Sequence, residues 1–440
     1  MLISFSIENW MSFGNLEKFS MVATKERQHR ERVIKLLKYK TSILPVATIY
    51  GGNASGKTNL FRALNFVKKL IVKGTQPDAM IPIQAFKLDS RKNDQPTRFI
   101  TELLIDDFIF EYSFSVTAKE VIEEKLSKIN STSKVILYTR SAEGIKVEVS
   151  CGDKQFLDAV SQGTRPNQLF LTNAVSQNAE KNANVLKRVY DWFKDTLQLI
   201  APDARFSKFE QLFDENDSLF SAMNKILPQL GMGISHIANE EVPFVDSVLP
   251  AELKAKIQQE VAKKGVMIKL ENNRESIILE GKNGEIVAKK LATYHTCIDG
   301  SEVKFDLDQE SDGTRRAMDL LPAFIQLSEN LSKKVFIVDE IDRSLHTLLT
   351  RKIIEMYLAK CSPDSRSQLL FTTHDVLLMD QELFRRDEMW IIERDKNGSS
   401  HMISFSDFKD VRYDKDIRKS YLQGRLGGIP SMSLNTRSGL

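Results

Sequence analysis

Gly51-Gly52-Asn53-Ala54-Ser55-Gly56-Lys57-Thr58 fits the pattern Gly-x-x-x-x-Gly-Lys-[Ser/Thr] in full. The chemistry it offers is phosphate binding. Glycines let backbone N–H groups turn inward around a polyphosphate, and the start of the following helix adds a favourable dipole. Lys57 can reach the β- and γ-phosphates, and Thr58 can give its hydroxyl to Mg2+. A chance glycine-rich turn is the competing reading, and the flanks speak against it. An apolar run, Val46-Ala47-Thr48-Ile49-Tyr50, leads in, and Leu60, Phe61, Leu64, Val67, Leu70 and Ile71 recur afterwards at helical spacing.

A second group of residues extends this chemistry. Val335-Phe336-Ile337-Val338-Asp339-Glu340 is an apolar strand ending in two acids. Asp339 can hold Mg2+, directly or through water, and Glu340 can orient and polarise an attacking water as general base. Acids often end strands, so the pair gains its meaning from the glycine loop. His374 follows another apolar strand, Leu369-Leu370-Phe371-Thr372-Thr373. It is either a sensor of the γ-phosphate or a structural histidine. Glu310-Ser311-Asp312-Gly313-Thr314 precedes a helix with Ala317, Leu320, Leu321 and Phe324 on one face. Ser311 and the N–H of Gly313 can bind phosphate at that helix start, although Ser-Asp-Gly is also a common turn.

The elements that must position these residues alternate between strand and helix. Residues 2–8 alternate apolar and polar, as a strand does, and residues 25–40 form a basic stretch expected to be exposed. Residues 80–150 are expected to be β-structure, with Asp106-Asp107 as a turn between two strands. Residues 155–265 are expected to be mostly helical, for example 185–200. Strands return over 266–307, with Asn283-Gly284 as a hairpin turn. From 311 onward helices alternate with apolar strands at 335–338 and 369–372, and 345–357 is expected to be a helix. This pattern predicts an α/β fold: a sheet with crossover helices at the phosphate loop and an antiparallel β lobe beside it. Three segments are expected: an N-terminal lobe with the phosphate loop over 1–150, a compact, mostly helical insertion or lid over 151–265, and a C-terminal lobe with the Asp-Glu strand and His374 over 266–440. No heptad pattern is sustained, so no long coiled coil is expected.

Composition sets bounds on partners and compartment. The 440 residues carry a net charge of only +3, which gives no support to a nucleic-acid or membrane partner. The three cysteines, Cys151, Cys297 and Cys361, are far apart and include no Cys-x-x-Cys pair. They are expected to be free thiols in a reducing cytoplasm. The first residues lack the basic start and long apolar stretch of a signal peptide, and no apolar run is long enough to span a membrane.

The order glycine loop, Ser-x-Gly helix, Asp-Glu strand, histidine resembles the ABC ATPase superfamily, and most closely its SMC, Rad50 and RecF branch. By that resemblance Ser311-Asp312-Gly313 is the signature motif and Ile341-Asp342-Arg343-Ser344-Leu345-His346 the D-loop. The resemblance implies ATP and Mg2+ as cofactors. The cofactor-binding residues it implies are Gly51, Asn53, Ala54, Ser55, Gly56, Lys57, Thr58, Asn59, Ser311, Gly313 and Asp342. Thr58 and Asp339 would hold the metal, and Glu340 and His374 would be catalytic. It also implies a homodimer with two ATP molecules shared head to tail, since a signature motif completes a second subunit's site, and leaves open a higher homo-oligomer. Gln84 is the best candidate for a Q-loop residue. The signature has no second glycine, unlike that of transporters.

Finer details narrow the resemblance. Ile7, Asn9, Ser12 and Phe13, the segment Ala85-Phe86-Lys87-Leu88-Asp89, and Tyr421-Leu422-Gln423-Gly424-Arg425-Leu426-Gly427-Gly428-Ile429-Pro430 are similar to the compact bacterial ATPases of the AAA15/AAA21 group. That group includes ATPase subunits of abortive-infection and phage-defence systems. The resemblance implies a sensor or regulatory subunit that controls a separate effector, for instance a nuclease. The stretch after His374 is too short for the C-terminal nuclease of some related ATPases. A RecF- or SMC-like repair ATPase is the alternative, and it predicts DNA-stimulated hydrolysis. A non-hydrolysing scaffold is a third reading, against which Glu340 argues.

Overall fold

A computed structural model of the chain describes residues 1–177, 184–204, 212–215, 217–242, 268–272, 275–282, 285–408 and 416–428. The chain divides into two compact units. The first comprises Met1–Pro202, Leu327–Asp342 and Tyr357–Leu440, and the second comprises Asp203–Gln326 and Arg343–Met356.

The first unit holds two sheets. One is antiparallel, in the strand order Gly144–Val147, Lys134–Ser141, Val121–Ile129, Phe108–Val116, Thr97–Ile105, Leu2–Glu8, Glu17–Ser20. The Asp106-Asp107 turn joins two of its strands with Ile105 opposite Phe108. Asp106 adopts φ 42 there, a left-handed conformation that Asp tolerates better than most residues. The other sheet runs Leu197–Ile200, Val335–Val338, Gln368–Thr372, Val46–Tyr50, Met389–Arg394, Ser400–Ser404. It is parallel throughout except for the last pair. Its central strands Val46–Tyr50, Val335–Val338 and Gln368–Thr372 are buried along their whole length, as their continuous apolar runs require. The helix Lys57–Lys73 buries Leu60, Phe61, Ala63, Leu64, Val67, Leu70 and Ile71 in the core of this unit.

The first unit departs from four expectations. Residues 151–202 belong to the first unit and do not form part of a separate insertion. The helices Lys154–Gln162, Phe170–Ser176 and Asn184–Asp191 bury Leu157, Val160, Phe170, Leu171, Leu186 and Val189 in its core. The buried Glu124 carboxylate ties down the start of the helix Phe170–Ser176. It accepts from the hydroxyls of Tyr112 (2.8 Å) and Tyr138 (2.7 Å) and from the N–H groups of Phe170 (2.7 Å) and Leu171 (3.1 Å). Residues 185–200 are not one helix. After Asp191 the chain takes a π-helical turn, Trp192–Thr196, and then the edge strand Leu197–Ile200 of the parallel sheet. That strand is only four residues long, too short for its period to stand out from the helical pattern before it. The basic stretch 25–40 is not simply exposed. Val33, Ile34 and Leu36 are buried, and Arg32 makes a buried ion pair with Glu388.

Residues 80–96 carry no strand. Their backbone is held by other segments, with Phe86 N–H donating to the Asn9 side chain and Met11 N–H donating to the Gln84 carbonyl.

The second unit is built on an antiparallel sheet in the order Ile234–Val242, Glu285–Thr296, Glu275–Lys282, Ile268–Asn272, with Glu302–Asp306 also pairing Glu285–Thr296. The expected turn at Asn283-Gly284 lies outside the described residues. Leu219, Phe220, Met223, Ile237, Leu291, Met318 and Leu321 share its core. Among the described residues the longest helices, Lys57–Lys73 and Asp312–Ser328, have 17 residues each, and no long coiled coil is present. Among them, too, no helix is long and apolar enough to cross a membrane. The three cysteines are free.

Candidate active site

The parallel sheet of the first unit brings three strand ends together. Val46–Tyr50 ends at Gly51, Val335–Val338 at Asp339, and Gln368–Thr372 two residues before His374. Adjacent parallel strands end on the same edge of a sheet, so residues distant in sequence meet there.

The glycine loop uses its glycines where no side chain fits. At Gly51 a Cβ would lie 2.3 Å from the Ile392 carbonyl oxygen. At Gly56, with φ 123, it would lie 2.5 Å from Ser400 Oγ and 2.8 Å from Ser12 Oγ. Ala54 adopts φ 61, a left-handed conformation within the turn. Asn53 and Ala54 are exposed, Ser55, Gly56 and Lys57 are buried, and Thr58 is half-buried. The Lys57 ammonium donates to the carbonyls of Gly51 (2.8 Å) and Gly52 (3.1 Å). Burial pushes its pKa down to about 8, against the opposing pull of Asp339, Glu340 and Asp342. Asn59 sits on the supporting side: its side chain donates to Ser12 Oγ (2.9 Å), and its carbonyl accepts from Trp10 Nε1 (3.2 Å).

Thr372 joins the two acids. Its hydroxyl donates to Asp339 Oδ1 (2.6 Å) and accepts from the Glu340 N–H (2.8 Å). In the sequence Thr372 reads as a strand residue only. The available signal was a hydroxyl at the end of the strand beside the acidic one. Asp339 is fully buried, and its other oxygen, Oδ2, has no hydrogen-bond partner. A buried carboxylate oxygen in that state suits a cation. Mg2+ commonly takes one carboxylate, a hydroxyl and phosphate oxygens rather than a cage of acids, so Asp339 with Thr58 is a fitting donor set. Among the described residues no group of three or more His, Cys, Asp or Glu could hold a metal. Glu340 adopts φ 50, a conformation that costs a non-glycine residue about 1–3 kcal/mol and recurs at functional sites.

His374 Nδ1 lies 3.4 Å from Lys57 Nζ. An ammonium can only donate, so Nδ1 accepts and the ring proton sits on Nε2. Burial and then the charge of Lys57 lower the His374 pKa, which keeps the ring neutral. The Asp342 carboxylate accepts from the His374 backbone N–H at 3.3 Å, within the same chain. Gln84 is exposed, and its carbonyl accepts from Met11 N–H.

Ser311 and Gly313 belong to the second unit. Ser311 Oγ accepts from Thr314 N–H (3.1 Å) at the start of the helix Asp312–Ser328. A Cβ on Gly313 would lie 2.8 Å from the Ser344 carbonyl oxygen, and Ser344 itself has φ 61. The Ser-Asp-Gly turn and the chain at Ser344, both in the second unit, therefore touch at a point where only glycine fits. Glu310, buried before the turn, accepts from Thr293 Oγ1 and lies 2.7 Å from His295 Nε2.

Residues 46–380 match the sequence model of the family described as AAA domain, putative AbiEii toxin, type IV TA system. The chain belongs to that family. Two solved structures are similar to this AAA-family chain. One is the SMC head domain from Thermotoga maritima, 11% identical with a TM-score of 0.38, covering 92% of this chain and 98% of that one. The other is an SMC head bound to the C-terminal winged-helix domain of ScpA, 10% identical with a TM-score of 0.40, covering 92% and 97%. No curated protein matches the chain.

Proposed function

We propose that this AAA-family chain binds ATP with Mg2+ on residues 51–58 and hydrolyses it, at sites shared between two copies of the chain. The observation that carries this reading is the Thr372 hydroxyl, which fixes Asp339 and Glu340 together beside the Lys57–His374 pair. The N–H groups of Asn53, Ala54, Ser55 and Gly56 surround the phosphates, and Lys57 leaves the loop carbonyls for the β- and γ-phosphates. Thr58 and Asp339 would hold Mg2+, which when bound would neutralise phosphate charge. Glu340 polarises the attacking water, and His374 directs its Nε2–H toward the γ-phosphate. Ser311 and Gly313 of a second copy close the site, with Asp342 and its loop at the junction.

The family's description, which couples an AAA domain with toxin–antitoxin systems, supports a place in bacterial defence. In that reading the chain is the regulatory subunit and a separate protein carries the toxic activity. A gene neighbourhood without any effector-like partner would count against this part.

The enzymatic part has a direct test. Glu340→Gln keeps the side chain's shape and removes its basicity. Turnover should fall about 100-fold or more while ATP stays bound. Turnover equal to the parent's would remove Glu340 from the mechanism.

A further inference from the structure

The loop is braced at both ends by residues far from it in sequence. At its helix end, Ser12 Oγ accepts from Asn59, Ser400 N–H donates to the Ser12 carbonyl (2.7 Å), and Ser400 Oγ donates to the Ser55 carbonyl. At its strand end the support comes from the glycine-rich segment 421–428. Gly52 N–H donates to the Gly428 carbonyl at 2.8 Å, and the Tyr421 hydroxyl donates to that same carbonyl at 3.0 Å. Gly428 N–H donates to Glu393 Oε2 at 2.9 Å.

This segment is a built turn. Asp416 caps the helix Ile417–Leu422 by accepting from Lys419 N–H. The helix ends with Gly424 N–H on the Tyr421 carbonyl (2.8 Å) and Arg425 N–H on the Ser420 carbonyl (3.1 Å), with Gly424 at φ 73. That is a Schellman ending, which aims the chain back across its own helix. Leu426 is then buried, and Gly427 and Gly428 follow at φ 73 and 72. A Cβ on Gly427 would lie 2.0 Å from Glu393 Oε2, and one on Gly428 2.6 Å from Ile391 Cγ2. Two consecutive left-handed residues pressed on the strand Met389–Arg394 admit only glycine.

We infer that the turn Gly427-Gly428, held by Tyr421 and Glu393, is a positioning part of the nucleotide site. It rests on the reading that residues 51–58 hold ATP. The family match ends at residue 380, so it does not include this segment. The Gly51–Gly52 peptide is gripped from two sides: the Gly52 N–H by the Gly428 carbonyl and the Gly51 carbonyl by Lys57. When Lys57 swings onto phosphate it lets go of the carbonyl. The Gly428 bond then keeps the loop's entrance in its phosphate-ready shape. Tyr421 and Glu393 act through Gly428.

The test uses the full chain and a slowly hydrolysed ATP analogue, adenylyl-imidodiphosphate, with Mg2+. Affinity, ligand-free melting temperature and backbone hydrogen exchange over residues 50–58 are measured for Gly427→Ala, Tyr421→Phe and Glu393→Ala. Losing one such support is expected to weaken binding about 3- to 10-fold. Exchange in the loop should quicken while the melting temperature is nearly kept. If Gly427→Ala does not fold, Tyr421→Phe and Glu393→Ala carry the test. Affinity within about twofold of the parent in the folded variants overturns the inference, as does a loss that comes only with collapse of the melting transition. Lys57→Ala separates the two levels. If it still binds the analogue normally, the nucleotide reading itself fails. If it abolishes binding while the turn variants bind normally, only the positioning role fails.

Discussion

Lys57 is the residue on which the electrostatics of the candidate site converge. Burial holds its pKa down to about 8 before any phosphate arrives. An anionic polyphosphate favours the charged ammonium and so raises that pKa. Binding must therefore take up a proton where the free lysine has lost it. Affinity should be full below about pH 8 and fall as the pH rises through that value toward the bound-state pKa. Calorimetric titrations in buffers of different ionisation heat would reveal the proton uptake, and a pH-independent affinity up to pH 10 would exclude it. Thr372 offers a second test. Replacing it by Val keeps the shape but leaves Asp339 and the Glu340 N–H without their shared hydroxyl. The cost should be about 1–3 kcal/mol of stability, with a clear loss of turnover, measured by denaturation and ATPase assay. Full activity in Thr372→Val would show that the acids need no such tie.

At the scale of elements, what was legible in the sequence was local. Four-to-five-residue apolar strands ending in Gly51, in Asp339 and just before His374 carry their own signal, and so does the amphipathic Lys57–Lys73 helix. What was not legible depends on distant pairing. The strand Leu197–Ile200 becomes a strand because Val335–Val338 lies beside it, with Leu197 opposite Val335 and Ile200 opposite Val338. The motifs at Asn9–Ser12, Ala85–Phe86 and Gly427–Gly428 were visible, but their purpose as supports for one another and for the loop needed the fold. The placement of the helix Phe170–Ser176 is likewise a tertiary effect, resting in part on Glu124. Burial and then the Glu124 charge raise the pKa of both Tyr112 and Tyr138 well above the usual range, so both hydroxyls stay as donors. Glu124→Ala would strand two hydroxyls and two N–H groups in the core. A loss of roughly 3 kcal/mol or more is expected, with Glu124→Gln costing less because it keeps one carbonyl oxygen. Chemical denaturation followed by tryptophan fluorescence measures it through Trp192, which shares that core. Equal stability of Glu124→Ala and the parent would mean that apolar packing alone docks that helix.

For the whole molecule, the two units divide the chemistry. The first carries the phosphate loop, both acids, Thr372 and His374, and the second carries Ser311 and Gly313. The proposed sharing of sites between two copies gives these groups separable duties. Binding of one ATP depends on the first unit's residues, whereas association depends on the exposed Ser311 turn. Ser311→Arg places a long cation at a helix start whose hydroxyl cap it also removes, for about 1 kcal/mol of local stability. It should leave ATP affinity within about twofold of the parent. On a Glu340→Gln background it should abolish the ATP-dependent increase in mass that sedimentation would otherwise detect. Association that survives Ser311→Arg would mean that copies of the chain meet through another surface. An affinity for ATP that falls with association would mean that one copy cannot hold the nucleotide alone. Only retained binding with lost association fits a loop that needs a second chain for turnover but not for capture.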